Sequence, residues 1–184
     1  MAYEASSLHV SGFLAAAAEL GVLEKAEPKL SPQSQTTIAH LFEQKWVPAT
    51  VIQDLTACIG EAYGNDSLEH LNYLMTKRSL GRLVLPMLRV ALAITGSSPA
   101  TIFSRLGDSL KVAMRGVEST WVRQSETSGT VTLRYPVVPP QIVHHAWRGV
   151  FRFGFEITGH DGRLVAHRYL DGGKTLELDV TWDA

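Results

Sequence analysis

The run Thr175-Leu176-Glu177-Leu178-Asp179-Val180-Thr181-Trp182 alternates polar and apolar residues without a break. Successive side chains of a strand point to opposite faces, so this run has one dry face, Leu176, Leu178, Val180 and Trp182, and one wet face. The dry face needs a cover. Working back along the chain, Asp171-Gly172-Gly173 reads as a hairpin turn joining this strand to another over Leu164 to Leu170. Before that comes a helix predicted over Gln141 to Ile157, with Val143, Ala146, Trp147, Val150, Phe151 and Ile157 able to face the sheet. Its glycines, Gly149 and Gly154, each cost ~1 kcal/mol against alanine, and close approach of another backbone would explain them. Earlier still, Val117 to Glu126 and Gly129 to Tyr135 read as a hairpin about Thr127-Ser128-Gly129. The C-terminal part is therefore β-β-α-β-β.

The N-terminal part carries helical signals. Val10 to Leu20 is Ala-rich and stops at Gly21. Ser31-Pro32 is a cap followed by proline at the first helical position, opening a helix to about Lys45. Pro48 opens another through Tyr63, with Val51, Ile52, Leu55, Cys58 and Ile59 as its stripe. Asp66 with Glu69 resembles a capping box for a helix over Ser67 to Lys77. Leu80 to Ile94 is apolar almost all round, as a central helix would be, and Ser98-Pro99 opens one more helix to about Leu110. The fold class is α+β: a single domain over 1–184, with a helical half over 1–115 and a β-β-α-β-β half over 116–184.

Bulk properties remove several functions. With 45% apolar and 19% charged residues the chain can bury a core and is not a disordered type. A net charge of -1 leaves no basic excess for nucleic acid or an anionic membrane. Leu83 to Thr95 is interrupted by Pro86 and Arg89 and is too short to span a bilayer. One cysteine, Cys58, cannot form an internal disulfide, and no signal peptide is read at the N-terminus, so a cytoplasmic location is expected.

The order of elements, with Leu83 to Gly96, with Gly149 and Gly159 around the late helix, and with the closing Val180-Thr181-Trp182, resembles a myxobacterial paralogous family of roughly 200-residue proteins of unknown function. The C-terminal half also looks like the vinyl-4-reductase-type small-molecule-binding domain, related in fold to TRAPP trafficking subunits and to haem-NO-binding sensor domains. The chain departs from these patterns. Arg163 to Trp182 has no cysteine, and the Tyr-x-Ser-x-Arg signature of the haem-NO sensors is absent. The resemblance implies a fold and a dimer or ligand-sensor theme, with no catalytic residue to carry over.

Candidate chemistry is sparse. His144 and His145 point about 100° apart on a helix, so a shared metal would need His167 or Cys58 as well; no metal site is expected. Cys58 lies on an apolar stripe and reads as a small core residue. Arg152 and Glu156 are spaced for a modest i,i+4 pair. No nucleophile elbow, P-loop or dinucleotide motif is present, so no catalytic residue and no enzyme is expected. The aromatic residues remain. Phe151, Phe153 and Phe155 cannot all face one side of a helix, which predicts that at least one is exposed, in a second pocket or at a subunit interface. The expected function is a non-enzymatic small-molecule-binding or sensory module. Its apolar pocket would lie between sheet and helices, lined by Trp121, Tyr135, Trp147 and Phe151, and would take an apolar small molecule with no cofactor. The alternative is a structural or adaptor protein. A homodimer is expected, through the late helix or Leu80 to Ile94.

Overall fold

In the computed structural model, residues 2–81 and 98–184 are described, and the Leu80 to Ile94 helix expected from the sequence falls largely outside them. The alternating run forms strand β7, Thr175–Trp182. It is central in a four-stranded antiparallel sheet of order β4-β5-β7-β6, with β4 at Glu118–Arg123, β5 at Ser128–Arg134 and β6 at Gly162–Leu170. Val131 pairs with Leu178 and Leu133 with Leu176. All four are fully buried, because the matched pleats put every apolar residue on one face. The turn before β7 uses positive φ at Asp171, Gly172 and Gly173.

The cover is helix α7, Val143–Thr158, closed by a left-handed Gly159. Trp147, Phe151 and Phe155 reach the sheet core, where Phe103 packs edge-on to Phe151 and Phe155 at 5.1 and 5.4 Å. None of the three phenylalanines is exposed: Phe151 is 1%, Phe153 2% and Phe155 3% accessible. This corrects the expectation of an exposed ring. Helix α7 is covered on a second side by α4, Asn65–Gly81, so a wide arc of it is buried.

The helical half builds a separate apolar cluster. Helix α1, Ser7–Glu19, is capped by Ser6, whose Oγ accepts from the His9 amide at 3.2 Å. Helix α2, Pro32–Ala39, has the expected Ser31 cap but ends early. The chain then extends into β2, Trp46–Pro48, which pairs with β1, Glu4–Ser6; β1 also pairs with β3, Met114–Arg115. This small sheet is not legible as periodicity in strands of two or three residues. Helix α3, Thr50–Tyr63, stops at Gly64 with φ +84°. The single helix expected over Ala100 to Leu110 is two, α5 at Pro99–Ser104 and α6 at Leu106–Ala113, broken at Arg105. The α+β class holds. No described helix is long and apolar enough to cross a membrane.

Candidate functional site

Three helices present stripes at i, i+3, i+4 and i+7 toward a common space. On α4 these are Asn72, Met75, Thr76 and Ser79; on α6, Leu106, Ser109, Leu110 and Ala113; on α7, Val143, Ala146, Trp147 and Val150. They line a half-open cavity of about 180 Å³ between the helical half and the sheet half. Tyr3, His9, Gln53, Met114, Tyr135 and the Pro139-Pro140 pair also stand on the wall.

The polar residues of this wall are largely turned to internal partners. Asn72 Nδ2 donates to the Leu68 carbonyl at 2.9 Å, and Thr76 Oγ1 donates to the Asn72 carbonyl at 2.7 Å. Gln53 Nε2 donates to the Tyr3 hydroxyl at 3.2 Å. Trp147 Nε1–H donates to the Tyr135 hydroxyl at 2.8 Å. Burial raises the Tyr135 phenol above its ordinary range and that of Tyr3 to about 12, so both stay neutral. Burial also pushes the His9 imidazole down to about 4, leaving a neutral ring at pH 7. His9 is the one imidazole among the described lining residues, and none of those residues is lysine or arginine.

Of the residues singled out in the sequence, Tyr135 and Trp147 line this cavity and bond each other. Phe151 lies behind them in the sheet core. Trp121 is on β4, packed 5.3 Å from Phe103 and lying across Gly129, where any Cβ would meet its indole ring. Cys58 is buried, 3.8 Å from Asp54 Oδ1, with its thiol raised chiefly by burial. Glu156 pairs with Lys77 at 2.8 Å and accepts from the Tyr73 hydroxyl, while Arg152 sits 4.6 Å over the Tyr73 ring. The expected Arg152–Glu156 pair is replaced by this inter-helix cluster. His144, His145 and His167 do meet: His144 stacks on His167 with centroids 3.7 Å apart, and His145 lies 4.0 Å from His144, tilted by 40°. Stacked rings do not aim their lone pairs at one point, and no group of metal-binding residues is found among the described residues.

The chain superposes on solved structures of H-NOX proteins. A Fe(II) unliganded H-NOX protein from K. algicida matches with a TM-score of 0.66 at 11% identity, covering 97% of both chains. A point mutant of that same protein, with glycine in place of one alanine, matches at 0.67 and 11%, also over 97% of each. A structure concerned with haem distortion in the H-NOX family matches at 0.61 and 10%, over 97% of this chain and 95% of the other. The fold is that of the H-NOX domains. No family model and no curated protein matches the chain.

The H-NOX fold agrees with the haem-NO-binding resemblance read from the β-β-α-β-β half and extends it to the helical half. It also corrects one expectation. The sequence predicts no cofactor, whereas the H-NOX structures are described by their Fe(II) and their haem. Against haem, the cavity residues fit in chemistry: His9 is a neutral imidazole, the form that ligates iron. The volume is smaller than the about 300–1,000 Å³ of ordinary ligand pockets, so the cavity as it stands is too small for a whole porphyrin. After Tyr135 the chain reads Pro136-Val137-Val138-Pro139, with Val137 and Pro139 where a Tyr-x-Ser-x-Arg signature would place serine and arginine.

Proposed function

We propose that this chain is a small-molecule-binding sensory module whose ligand occupies the cavity between the helical and sheet halves. The observation that carries the reading is the convergence of three helical stripes on one apolar space with a neutral His9 on its wall. Haem is the first ligand to test, supported by the H-NOX fold. When bound it supplies an iron centre for a diatomic ligand. Of this chain's residues, His9 would face the iron, while Tyr135 and Trp147 would pack against the ring; Phe151 and Trp121 would back that wall. The test is titration of the purified protein with haemin, followed by absorption. A saturable, red-shifted band that weakens or moves in His9→Ala is expected. A spectrum identical to free haemin would sink the haem assignment.

The volume of about 180 Å³ favours a second reading, a smaller apolar ligand. Engineered apolar cavities of about 150 Å³ bind benzene-sized molecules. Native mass spectrometry of protein taken directly from cells distinguishes the two by the mass it carries.

A further inference from the structure

Two spaces meet at one short segment. Pro139 and Pro140 line the apolar cavity and also line an outer, open cleft of about 400 Å³, whose opposite wall is polar, with Ser31, Ser34 and Asp54. Gln53 borders both. The intervening chain from Tyr135 to Ile142 has neither helix nor strand. Its two adjacent prolines carry no N–H, so the backbone there is held only through carbonyls and flanking residues. Val143 N donates to the Pro140 carbonyl at 2.9 Å, and His145 N to the Ile142 carbonyl at 3.0 Å. The Gln141 carbonyl is gripped twice, by His144 Nδ1–H at 2.8 Å from α7 and by the Tyr169 hydroxyl from β6.

We propose that Pro139-Pro140 is a lid between the outer cleft and the inner cavity, and that the His144–Tyr169 grip on the Gln141 carbonyl is a latch that acid releases. This rests on the reading of the cavity as a ligand site. His144 is the middle ring of the stack, nearly parallel to His167 at 10°. Neutral imidazoles stack, but a charge on His144 faces His145 on its own helix, His167 across from β6 and Arg148 one turn on. Tyr169, the other group against it, stays uncharged, its phenol raised by burial. Glu69 and Asp66, both from α4, face His145 and not His144, and Glu69 is also paired with Arg148 at 3.3 Å. No carboxylate contacts His144 among the described residues. Burial is the first cause and outweighs the Gln141 hydrogen bond, which by itself favours the charged ring. With the repulsion a charged ring would meet from the stack and Arg148, it holds the imidazole down at about 4, so acid acts by expelling the ring from the stack and not by removing its Nδ1–H. A ring freed from the stack titrates near its ordinary 6.5. Protonation therefore favours the unlatched form as pH falls below that value.

Hydrogen exchange of the full chain, without any ligand, tests the latch separately from the cavity. Peptides over residues 136–145 report the Val143 and His145 amides, and β5 serves as the internal reference. Normalised to intrinsic rates, exchange there should rise about tenfold between pH 7.5 and 5.5, the size of one lost hydrogen bond. In Tyr169→Phe it should already be raised at pH 7.5, and in His144→Ala it should lose its pH dependence. Exchange that is flat with pH, or that rises equally in β5, overturns the latch while leaving the cavity reading intact. If exchange rises but haemin or a small apolar probe associates no faster with Tyr169→Phe, the segment is not the lid.

Discussion

Gly149 on α7 lies directly against the Glu69 carbonyl of α4: a Cβ there would overlap the oxygen and stand 2.7 Å from the Tyr73 amide nitrogen. The two helices touch backbone to backbone at this point, and α4 and α7 form the most extensive helix–helix contact of the described residues. This single hydrogen side chain sets how far apart two of the three cavity stripes stand. Backbone atoms cannot yield as a flexible side chain would. Gly149→Ala gains ~1 kcal/mol of helix propensity but must push α4 away. A net loss of about 1–3 kcal/mol is expected from overpacking, read as a lower urea midpoint. An unchanged or raised midpoint would mean the helices separate freely.

The Trp147–Tyr135 bond joins α7 to the end of β5 inside the cavity wall. Tyr135→Phe removes the acceptor and leaves the indole N–H buried without a partner. The expected cost is about 1–3 kcal/mol. Trp147→Phe in the same background should restore part of it, since donor and acceptor are then both gone. A double-mutant cycle by denaturant unfolding measures the coupling, and strict additivity would show the bond contributes nothing.

Stability should depend on pH through His9 and His144. Burial is the first cause in both, and each imidazole titrates at about 4 in the folded chain. Unfolded histidine titrates near 6.5, so between about pH 6.5 and 4 the unfolded state binds more protons. Stability is then greatest above that window and falls as pH drops through it. The Asp54 and Glu156 carboxyls, both held below their ordinary value, act in the same direction further down. The melting temperature should fall by at least about 2–4 °C from pH 7.5 to 4.5, which corresponds to ~1 kcal/mol for a chain of this length. His9→Gln with His144→Gln should flatten the slope; a wild-type melting temperature that is constant over this range would refute the assignment.

Gly129 is the seat of the Trp121 indole. Aromatic cover of a strand glycine shields its exposed backbone. Gly129→Ala should swing Trp121 off β5 and away from Phe103 and Trp182, 5.3 and 6.3 Å away. The tryptophan emission should shift to the red, with about 1 kcal/mol of stability lost. Emission unchanged from wild type would mean the ring has room to accommodate a methyl group.

Reading the sheet from sequence works where one rule decides the outcome. Leu176 to Trp182 alternate, Gly172-Gly173 permit positive φ, and Ser31 and Ser98 cap their helices as serines before proline do. It fails where two demands meet in the same residues. Helix α7 reads as having one face because a lone amphipathic helix has one. Packed between sheet and α4, it buries Phe153 as well as Phe151 and Phe155, and no periodicity announces a second neighbour. The cavity is similar. Asn72, Thr76 and Ser109 look solvent-facing by composition, yet Asn72 and Thr76 bond their own helix. The i, i+3, i+4, i+7 spacing on α4, α6 and α7 is present in the chain, but only the fold brings the three stripes together. His9 carries no local signal at all; its place on the wall depends on α1 lying against the cavity.

Tyr3 and Met114 pack against both apolar clusters, and both line the cavity. Beside them, the pairing of Ala5 with Met114 stitches the first residues of the chain to its middle. The two cores thus share these residues, and the cavity lies at the joint between them. A guest in that joint would act as a bearing: it adds contacts to both bodies at once and fixes their relative tilt. Occupancy would thereby be felt as stability in both cores together, so that one ligand would raise the unfolding midpoint of the whole chain.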